Sequence, residues 1–241
     1  MPVDVEECGE FQTLSFDGQP ARCGAPCAPQ GVNFWGTMGC LVTLDNGRLA
    51  LLSNNHVLAD NNRVPRGTPI FHPNDSHPQG FQLGVLEDFV PIQFGNNTQG
   101  SHNPVNLVDA AVAWTSRQFV DASHISYRVN PSPVSASLSM NVAKHGITTG
   151  ATTGVISMIG VNNVPVGAPG LPVAWYNDQI VVNPLSAGAV AFSKPGDSGS
   201  LVVTAGSKQP VGLLFAGGAT YHTLVNPIQA VMQELGIVSF V

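Results

Sequence analysis

A chain of 241 residues with 43% hydrophobic and only 10% charged residues has the composition of a folded globular protein, not of a disordered one. The formal net charge is −6, with nine Lys and Arg residues and no basic cluster, so neither nucleic acid nor an anionic membrane is an expected partner. No apolar run approaches the length of a membrane span, and the chain length suits one large all-β domain or two packed halves.

The first 30 residues are predicted to form an N-terminal arm with cysteine chemistry of its own. The opening MPVDVEECGE carries acidic residues where a secretory signal would have basic and then apolar residues, which favours a cytoplasmic protein. The low lysine content and the many Asn and Gly residues favour instead an exported protein whose signal has been removed. Free thiols, disulfides in one of three pairings and a zinc site are all open for the four cysteines, which are Cys8, Cys23, Cys27 and Cys40.

Short runs rich in Val, Ile, Leu and Thr recur along the chain between Gly and Pro residues. CLVTLDNGRLALLSNN contains two such runs around Asp45-Asn46-Gly47, and Asn-Gly between apolar runs is a strong hairpin signal. Many short strands with frequent turns favour an all-β barrel or sandwich. The pattern breaks near residues 123–137, which predicts one β half over residues 31–125 and a second over residues 126–241.

One helix is predicted near the C terminus, in NPIQAVMQELG. Asn226 suits the N-cap, Pro227 the first turn and Gly236 the C-terminal stop. One face of this helix is apolar at helical spacing and is expected to dock onto a barrel; its residues are Ile228, Val231, Met232 and Leu235.

The segment KPGDSGSLVV places Ser198 between a Gly-Asp pair and a glycine, just before a predicted strand. A serine hydroxyl becomes a useful nucleophile only with a neighbouring base, an orienting partner for that base, and donors for the developing oxyanion. The backbone N–H groups of Gly196 and Ser198 would form such an oxyanion hole if the turn is tight. A plain β-turn that enters a buried strand is the alternative for this motif.

A base and its partner are available elsewhere in the chain. His56 follows the apolar run of LALLSNNHVLAD, so a strand would deliver its ring to the surface of a cleft. Asp109 opens the apolar run of NLVDAAVAW, where an ionised carboxylate is costly unless it is paired or hydrogen-bonded. Orientation of His56 and capping of local backbone N–H groups are both open for Asp109. His145 and His222 are the other histidines that their context does not dismiss.

The three candidates occur in the order His56, Asp109, Ser198, with separations of 53 and 89 residues. The Ser-His-Asp template of one protease class has the same order, with separations of about 45 and 93 residues. The α/β-hydrolase arrangement is excluded, because its order begins with Ser and its motif needs Gly where Ser200 stands.

These residues resemble the chymotrypsin-like (trypsin-like) serine protease family in its bacterial form. KPGDSGSLVV, SNNHVLA and VDAAVA resemble the family's Ser, His and Asp segments. KHGITTGATTG resembles the opening strand of the second barrel, and PVGLLFAGG the strand that lines the primary specificity pocket. The match covers roughly residues 30–236. SNNHVLA, GITTG, PGDSGSLVV and LLFAGG together resemble the bacterial and plant trypsin-like group that includes the narrow-leaf protease of rice.

The resemblance implies two antiparallel six-stranded β-barrels with a short C-terminal helix and the site in the cleft between the barrels. It implies a serine endopeptidase without cofactor or metal, which acts on protein or peptide substrates through an acyl-enzyme. Ser198 would attack the carbonyl carbon, His56 would transfer the proton, and Asp109 would orient His56. The N–H groups of Gly196 and Ser198 would bind the oxyanion.

The resemblance also implies a substrate pocket with its floor near Phe192 and its wall at Phe215, Ala216 and Gly217. None of these residues is a carboxylate, so we do not expect the pocket to accept a substrate Lys or Arg. We expect it to accept small or apolar substrate side chains, or to be closed. In the animal enzymes, cleavage creates an N terminus that begins Ile-Val-Gly-Gly and pairs with the residue equivalent to Asp197. No such segment is visible in this sequence, so the resemblance does not extend to activation by cleavage.

Two other classes of function compete with a protease. The first is a catalytically silent trypsin-fold module that binds or scaffolds a partner, and the second is a metal-binding structural protein built on the cysteines. An intact triad argues against the silent module, because a pure binder has no need of it. The low charge density also permits homo-oligomers.

Overall fold

The computed structural model describes residues 19–95, 105–167, 170–185, 190–217 and 222–241, and these residues form 19 strands and two helices. The strands are β1 (Ala21–Cys23), β2 (Pro26–Pro29), β3 (Gly36–Thr37), β4 (Cys40–Leu44), β5 (Leu49–Ser53), β6 (Pro69–His72), β7 (Phe81–Phe89), β8 (Val105–Asn106), β9 (Ala111–Thr115), β10 (Val120–His124), β11 (Asn141–Gly146), β12 (Gly150–Val161), β13 (Val164–Val166), β14 (Ala174–Tyr176), β15 (Gln179–Pro184), β16 (Leu201–Thr204), β17 (Pro210–Gly217), β18 (Thr223–Pro227) and β19 (Ile237–Phe240). The helices are α1 (Asn55–Leu58) and α2 (Ile228–Leu235).

The N-terminal half is a sheet of eight strands in the order β19-β4-β5-β9-β7-β6-β2-β3. At its centre β4 and β5 form the hairpin predicted at Asp45-Asn46-Gly47, where Gly47 has a φ of +79° that glycine adopts without a Cβ clash. At the edges, β19 pairs with β4, and β2 pairs with both β6 and β3. This half is therefore a half-barrel, with eight strands where the sequence predicts six, and it takes the place of the first barrel in the predicted two-barrel fold.

The C-terminal half is a closed barrel of six antiparallel strands in the order β11-β12-β15-β18-β17-β16. Apolar side chains from alternate positions of these strands fill its interior. They include Val142, Ile156, Val182, Val202, Leu214 and Val225, all of which are buried. This barrel is the six-stranded one that the sequence predicts for the second half.

A small third sheet connects the two halves. Its order is β13-β14-β8, so the C-terminal strand β14 pairs in parallel with β8 of the N-terminal half. Phe94 adds an isolated bridge to Ala174, and the Asn106 side chain donates to the carbonyls of Gln93 at 3.0 Å and Trp175 at 3.1 Å. We call β13, β14 and β8 with Phe94 the bridging sheet.

Helix α2 docks onto the core of the N-terminal half. Ile228, Val231 and Leu235 are buried there, and Gly236 ends the helix in the left-handed conformation, with φ +62°. The predicted start is wrong by one residue, because Pro227 occupies the N-cap position and Asn226 belongs to β18. The side chain of Asn226 has other hydrogen-bond partners, which lie at the site described below.

The predicted N-terminal arm enters the structure partly as strands, since β2 pairs with β6 and β1 with β10. Cys23, Cys27 and Cys40 are buried free thiols, and burial raises the pKa of Cys23 and of Cys27 to about 12. Cys8 lies outside the described residues. The predicted division at residue 125 stays a prediction. Neither of the two described helices has the length and apolar character of a membrane span.

Candidate active site

A cavity of about 710 Å³ lies where the two halves meet. Its lining includes residues of the N-terminal half, among them His56 and Asp109, and residues of the C-terminal half, among them Gly196 and Ser198. The structure thus brings together the four residues that the sequence singles out for catalysis and oxyanion binding.

Antiparallel pairing of β5 with β9 places His56 beside Asp109. Ser53 at the end of β5 pairs with Ala111 at the start of β9, so the residues just after β5 and just before β9 are neighbours. His56 Nδ1 lies 2.6 Å from Asp109 Oδ2, and the His56 backbone N–H donates to Asp109 Oδ1 at 3.2 Å. Burial by itself would lower the His56 pKa, but the charge and hydrogen bond of Asp109 outweigh it and raise the pKa above its usual 6.5.

Two buried amide side chains hold the backbone of Asp109. The Asn54 side chain donates to the Asp109 carbonyl at 2.7 Å. The Asn226 side chain accepts from the Asp109 N–H at 3.2 Å and donates to its carbonyl at 3.1 Å. Sequence reasoning misses this use of Asn226, because an Asn before Pro and an amphipathic run has the pattern of an N-cap. Asn226 comes from the C-terminal half, so it also joins the two halves at the site.

The Ser198 side chain faces the same cavity from a tight turn. Gly196 and Gly199, on either side of it, have φ values of +97° and +92°, where L side chains are strained. A Cβ on Gly199 would clash with the Thr37 carbonyl and the Ser53 hydroxyl. The Ser198 hydroxyl donates to the Phe215 carbonyl at 3.3 Å. A nucleophile and its base often form their hydrogen bond only in the substrate complex. The bond to the Phe215 carbonyl therefore leaves Ser198 a candidate nucleophile with His56 as its base.

Three carbonyls of the Ser198 turn accept hydrogen bonds from neighbouring groups. The Gly196 carbonyl accepts from the Thr37 hydroxyl at 3.0 Å, and the Ser198 carbonyl accepts from the Thr37 N–H at 2.7 Å. The Asp197 carbonyl accepts from the Ser200 hydroxyl at 2.6 Å. Within the described residues, the N–H groups of Gly196 and Ser198 have no acceptor. They are the two donors that an oxyanion hole at this turn requires.

A buried ion pair lies beneath this turn. Lys144 Nζ lies 3.0 Å from Asp197 Oδ2, and both side chains have no solvent exposure. Asp197 Oδ1 accepts from the N–H groups of Thr148 at 2.9 Å and Thr149 at 3.1 Å, and its Oδ2 accepts from the Lys194 N–H at 2.9 Å. Burial would raise the Asp197 pKa. The charge of Lys144, the Thr149 hydroxyl, which donates to Oδ2 at 2.7 Å, and the Lys194 N–H together hold it below its usual value.

The predicted pocket residues do not all lie together. Phe215, Ala216 and Gly217 line the cavity. Phe192, which the sequence places at the pocket floor, is fully buried among the apolar core residues of the C-terminal barrel. The pocket floor therefore stays a prediction, whereas the predicted wall residues and Ser198 share one cavity.

Two remaining histidines have partners away from this cavity. His145 Nδ1 lies 2.5 Å from the Ser126 hydroxyl, and His222 Nδ1 lies 2.6 Å from Asn183 Oδ1. Within the described residues, no group of three or more His, Cys, Asp or Glu side chains has the arrangement of a metal site.

Solved structures with a similar fold include several bacterial proteases. The Nocardiopsis protease NAPase has a TM-score of 0.60 and 18% identity, over 91% of this chain and 99% of that chain. Thermobifida fusca protease A has a TM-score of 0.58 and 19% identity, over 91% and 98%. The chymotrypsin of Cellulomonas bogoriensis has a TM-score of 0.54 and 19% identity, over 89% and 95%.

These similarities concern the fold, because all three identities are below 20%. No protein-family model matches the sequence, and a search of curated proteins found no match. The finer resemblance to the plant narrow-leaf group stays a prediction. The chain has the trypsin-like two-barrel fold with a C-terminal helix, which bacterial chymotrypsin-like serine proteases share.

Proposed function

We propose that this protein is a serine endopeptidase that hydrolyses peptide bonds with Ser198, His56 and Asp109. One observation carries the proposal: the His56–Asp109 pair, at 2.6 Å, and the Ser198 hydroxyl face one cavity, beside two backbone N–H groups that have no acceptor among the described residues. A nucleophile, a base with its orienting partner and an oxyanion site are the parts that acyl transfer requires. The shared fold supports this assignment.

In the first half-reaction, Ser198 Oγ attacks the carbonyl carbon of the scissile bond and its proton passes to His56 Nε2. The oxyanion accepts from the N–H groups of Gly196 and Ser198. His56 then gives the proton to the leaving amine, and the C–N bond breaks. Asp109 holds the Nδ1–H tautomer and stabilises the imidazolium.

In the second half-reaction, water attacks the ester carbon while His56 accepts a proton from it. The ester C–O bond breaks, the proton returns to Ser198, and the acid product leaves. Both half-reactions need the same orientation of His56, which the hydrogen bonds to Asp109 maintain.

An extended peptide has a strand edge available beside Ser198. The register between β16 and β17 ends at Leu213, with Leu214 bonded to Gly199 and Ser200 just beyond it. The segment Phe215–Gly217 continues past that point and pairs on its other side with β18. The edge of Phe215–Gly217 that does not pair with β18 borders the cavity. Main-chain pairing of a substrate with this edge would align the scissile bond.

An internal cation takes the place of an N-terminal partner for Asp197. Because Lys144 already neutralises the buried carboxylate, the turn with Gly196 and Ser198 needs no newly cleaved N terminus to hold it. We therefore expect the chain to be active without proteolytic processing.

The test is labelling with a fluorophosphonate probe, read by intact mass. Wild type should gain one adduct, and the variants Ser198→Ala and His56→Ala should gain none in the same time. Ser207→Ala, an exposed serine of the same barrel, is the matched control and should be labelled like wild type. A folded wild type without an adduct would reject the protease and favour a silent binding module.

A further inference from the structure

Two aromatic side chains beside the candidate nucleophile are exposed to solvent. Phe34 and Trp35 are 41% and 49% exposed, and both line the cavity that contains Ser198. Leaving apolar area in water is unfavourable, so adjacent exposed aromatic side chains typically mark a binding surface. We call Phe34 and Trp35 the aromatic wall.

The backbone next to the aromatic wall is fixed to the Ser198 turn. Thr37, two residues after Trp35, donates its N–H to the Ser198 carbonyl at 2.7 Å. Gly36 packs so closely on Val57 that a Cβ there would clash with that side chain. The backbone that carries the aromatic wall is therefore fixed relative to the nucleophile.

A second apolar surface lines the cavity, formed by the bridging sheet and its neighbours. We call it the apolar wall; its members are Ile92, Phe94, Val166, Tyr176, Phe215 and Leu224. Tyr176 and Phe215 contact each other, with ring centroids 4.8 Å apart. Because β14 is paired on both sides, this wall is also formed before substrate binds.

Charges that could bind an acidic or basic side chain are missing from the described lining of the cavity. Its charged residues are His56 and Asp109, which are paired with each other. The segments between the described ranges, residues 96–104, 168–169, 186–189 and 218–221, contain no Asp, Glu, Lys or Arg in the sequence. A charged substrate side chain would lose hydration here without gaining a counter-charge.

From these two walls we infer the substrate class: extended polypeptide segments with apolar side chains on both sides of the scissile bond. The acyl half must stay bound through the second half-reaction, and the Phe215–Gly217 edge next to the apolar wall can hold it by main-chain pairing. The aromatic wall then contacts the residues that follow the scissile bond. This inference rests on the proposed function.

The test compares two substrates with one apolar acyl half. The first is a quenched fluorogenic peptide with Phe and Leu after the scissile bond, and the second is an anilide with no residue there. Trp35→Ala should lower kcat/KM for the peptide by about tenfold, because a buried aromatic contact is lost, and leave the anilide within about twofold. Trp114→Ala removes an exposed tryptophan outside the cavity and should change neither rate.

A charge on the apolar wall gives the complementary test. Val166→Asp should lower kcat/KM for the apolar acyl half by about tenfold and raise it for a peptide with Lys in that half. Equal loss on peptide and anilide in Trp35→Ala would overturn the assignment of the aromatic wall. Wild type that labels with the probe but cleaves peptides with charged flanks as fast as apolar ones would overturn the substrate class alone. A wild type that does not label overturns the proposed function itself.

Discussion

The two halves of the molecule position their candidate catalytic groups by different means. In the N-terminal half, Asp109 beside His56 is held through its backbone by the neutral amides of Asn54 and Asn226. In the C-terminal half, the Ser198 turn rests on the buried ion pair of Lys144 and Asp197. A lost neutral hydrogen bond leaves one polar group unsatisfied, whereas a broken buried pair leaves an uncompensated charge. The C-terminal arrangement is therefore the more fragile of the two.

Removal of Lys144 should have the largest effect. Lys144→Met keeps the length of the side chain but leaves Asp197 charged and buried without a counter-charge. We expect the free energy of unfolding to fall by about 3–5 kcal/mol in urea denaturation. Probe labelling of the molecules that remain folded should be slowed as well, because Asp197 no longer holds the turn.

A second variant separates charge from volume. In Lys144→Met/Asp197→Leu the uncompensated charge is gone, so much of the stability should return while labelling stays slow. A single Lys144→Met that unfolds at the same urea concentration as wild type would show that the pair contributes no net stability, and the contrast between the halves would fail.

Loss of Asn226 should have a smaller effect. Asn226→Ala leaves the backbone N–H of Asp109 without its acceptor, with Asn54 still bonded to the carbonyl. The expected cost is about 1–3 kcal/mol of unfolding free energy, together with a lower rate of probe labelling. Asn162→Ala, which removes an exposed Asn that accepts from the Asp178 N–H, is the control and should cost less than about 1 kcal/mol. A cost in Asn226→Ala above that of Lys144→Met would reverse the comparison.

Thr37 joins the two halves and should show a smaller effect still. Its hydroxyl accepts from the Ile147 N–H at 3.2 Å and donates to the Gly196 carbonyl at 3.0 Å. Thr37→Val keeps the shape but removes both bonds, for an expected loss of about 1 kcal/mol. The rate of labelling should fall, because the Gly196 peptide loses the bond that orients it, and Thr37→Ser should restore the rate. Thr43→Val, on β4 of the same sheet, should change neither quantity.

The dependence of stability on pH should differ in sign between the halves. The pKa of His56 is raised in the folded state, so its pairing stabilises fully below the unfolded value near 6.5 and is lost as the pH rises through the folded pKa. The pKa of Asp197 is lowered, so its stabilising effect is present above the unfolded value near 3.8 and is lost as the pH falls through the folded pKa.

Melting temperatures across the pH range measure both contributions. His56→Gln should remove the fall in stability that accompanies a rise in pH above 6.5, and it should leave the fall at acid pH that Asp197 causes unchanged. His222→Gln is the matched control, since His222 lies outside the cavity and bonds to Asn183. Identical pH profiles for His56→Gln and wild type would show that the His56–Asp109 pair does not contribute to stability.

Local signals make part of the site predictable from the sequence. The Asn-Gly turn of the β4–β5 hairpin follows from neighbouring residues, as does the glycine-flanked turn at Ser198. His56 is recognisable because it follows an apolar strand, and Asp109 because it opens one. In each case the local pattern identifies the residue or turn, although the partners of His56 and of the Ser198 turn lie far away in the chain.

Other parts of the site depend on contacts between distant residues. Lys144 lies 53 residues before Asp197, and Asn226 lies 117 residues after Asp109, so no local pattern links either pair. The position of Phe192 is predicted by counting back from Ser198, but distance along the chain does not determine which way a side chain points. The bridging sheet is not predictable in this way, because strands of two and three residues give too little periodicity.

The rate of fluorophosphonate labelling as a function of pH reports whether His56 activates Ser198. We expect one adduct, at Ser198, that forms more slowly as the pH falls through the pKa of His56, at a midpoint above 6.5. In His56→Ala the reaction should be slow at every pH. An adduct on another residue, or equal rates in wild type and His56→Ala, would contradict the assignment of Ser198 as a nucleophile activated by the His56–Asp109 pair.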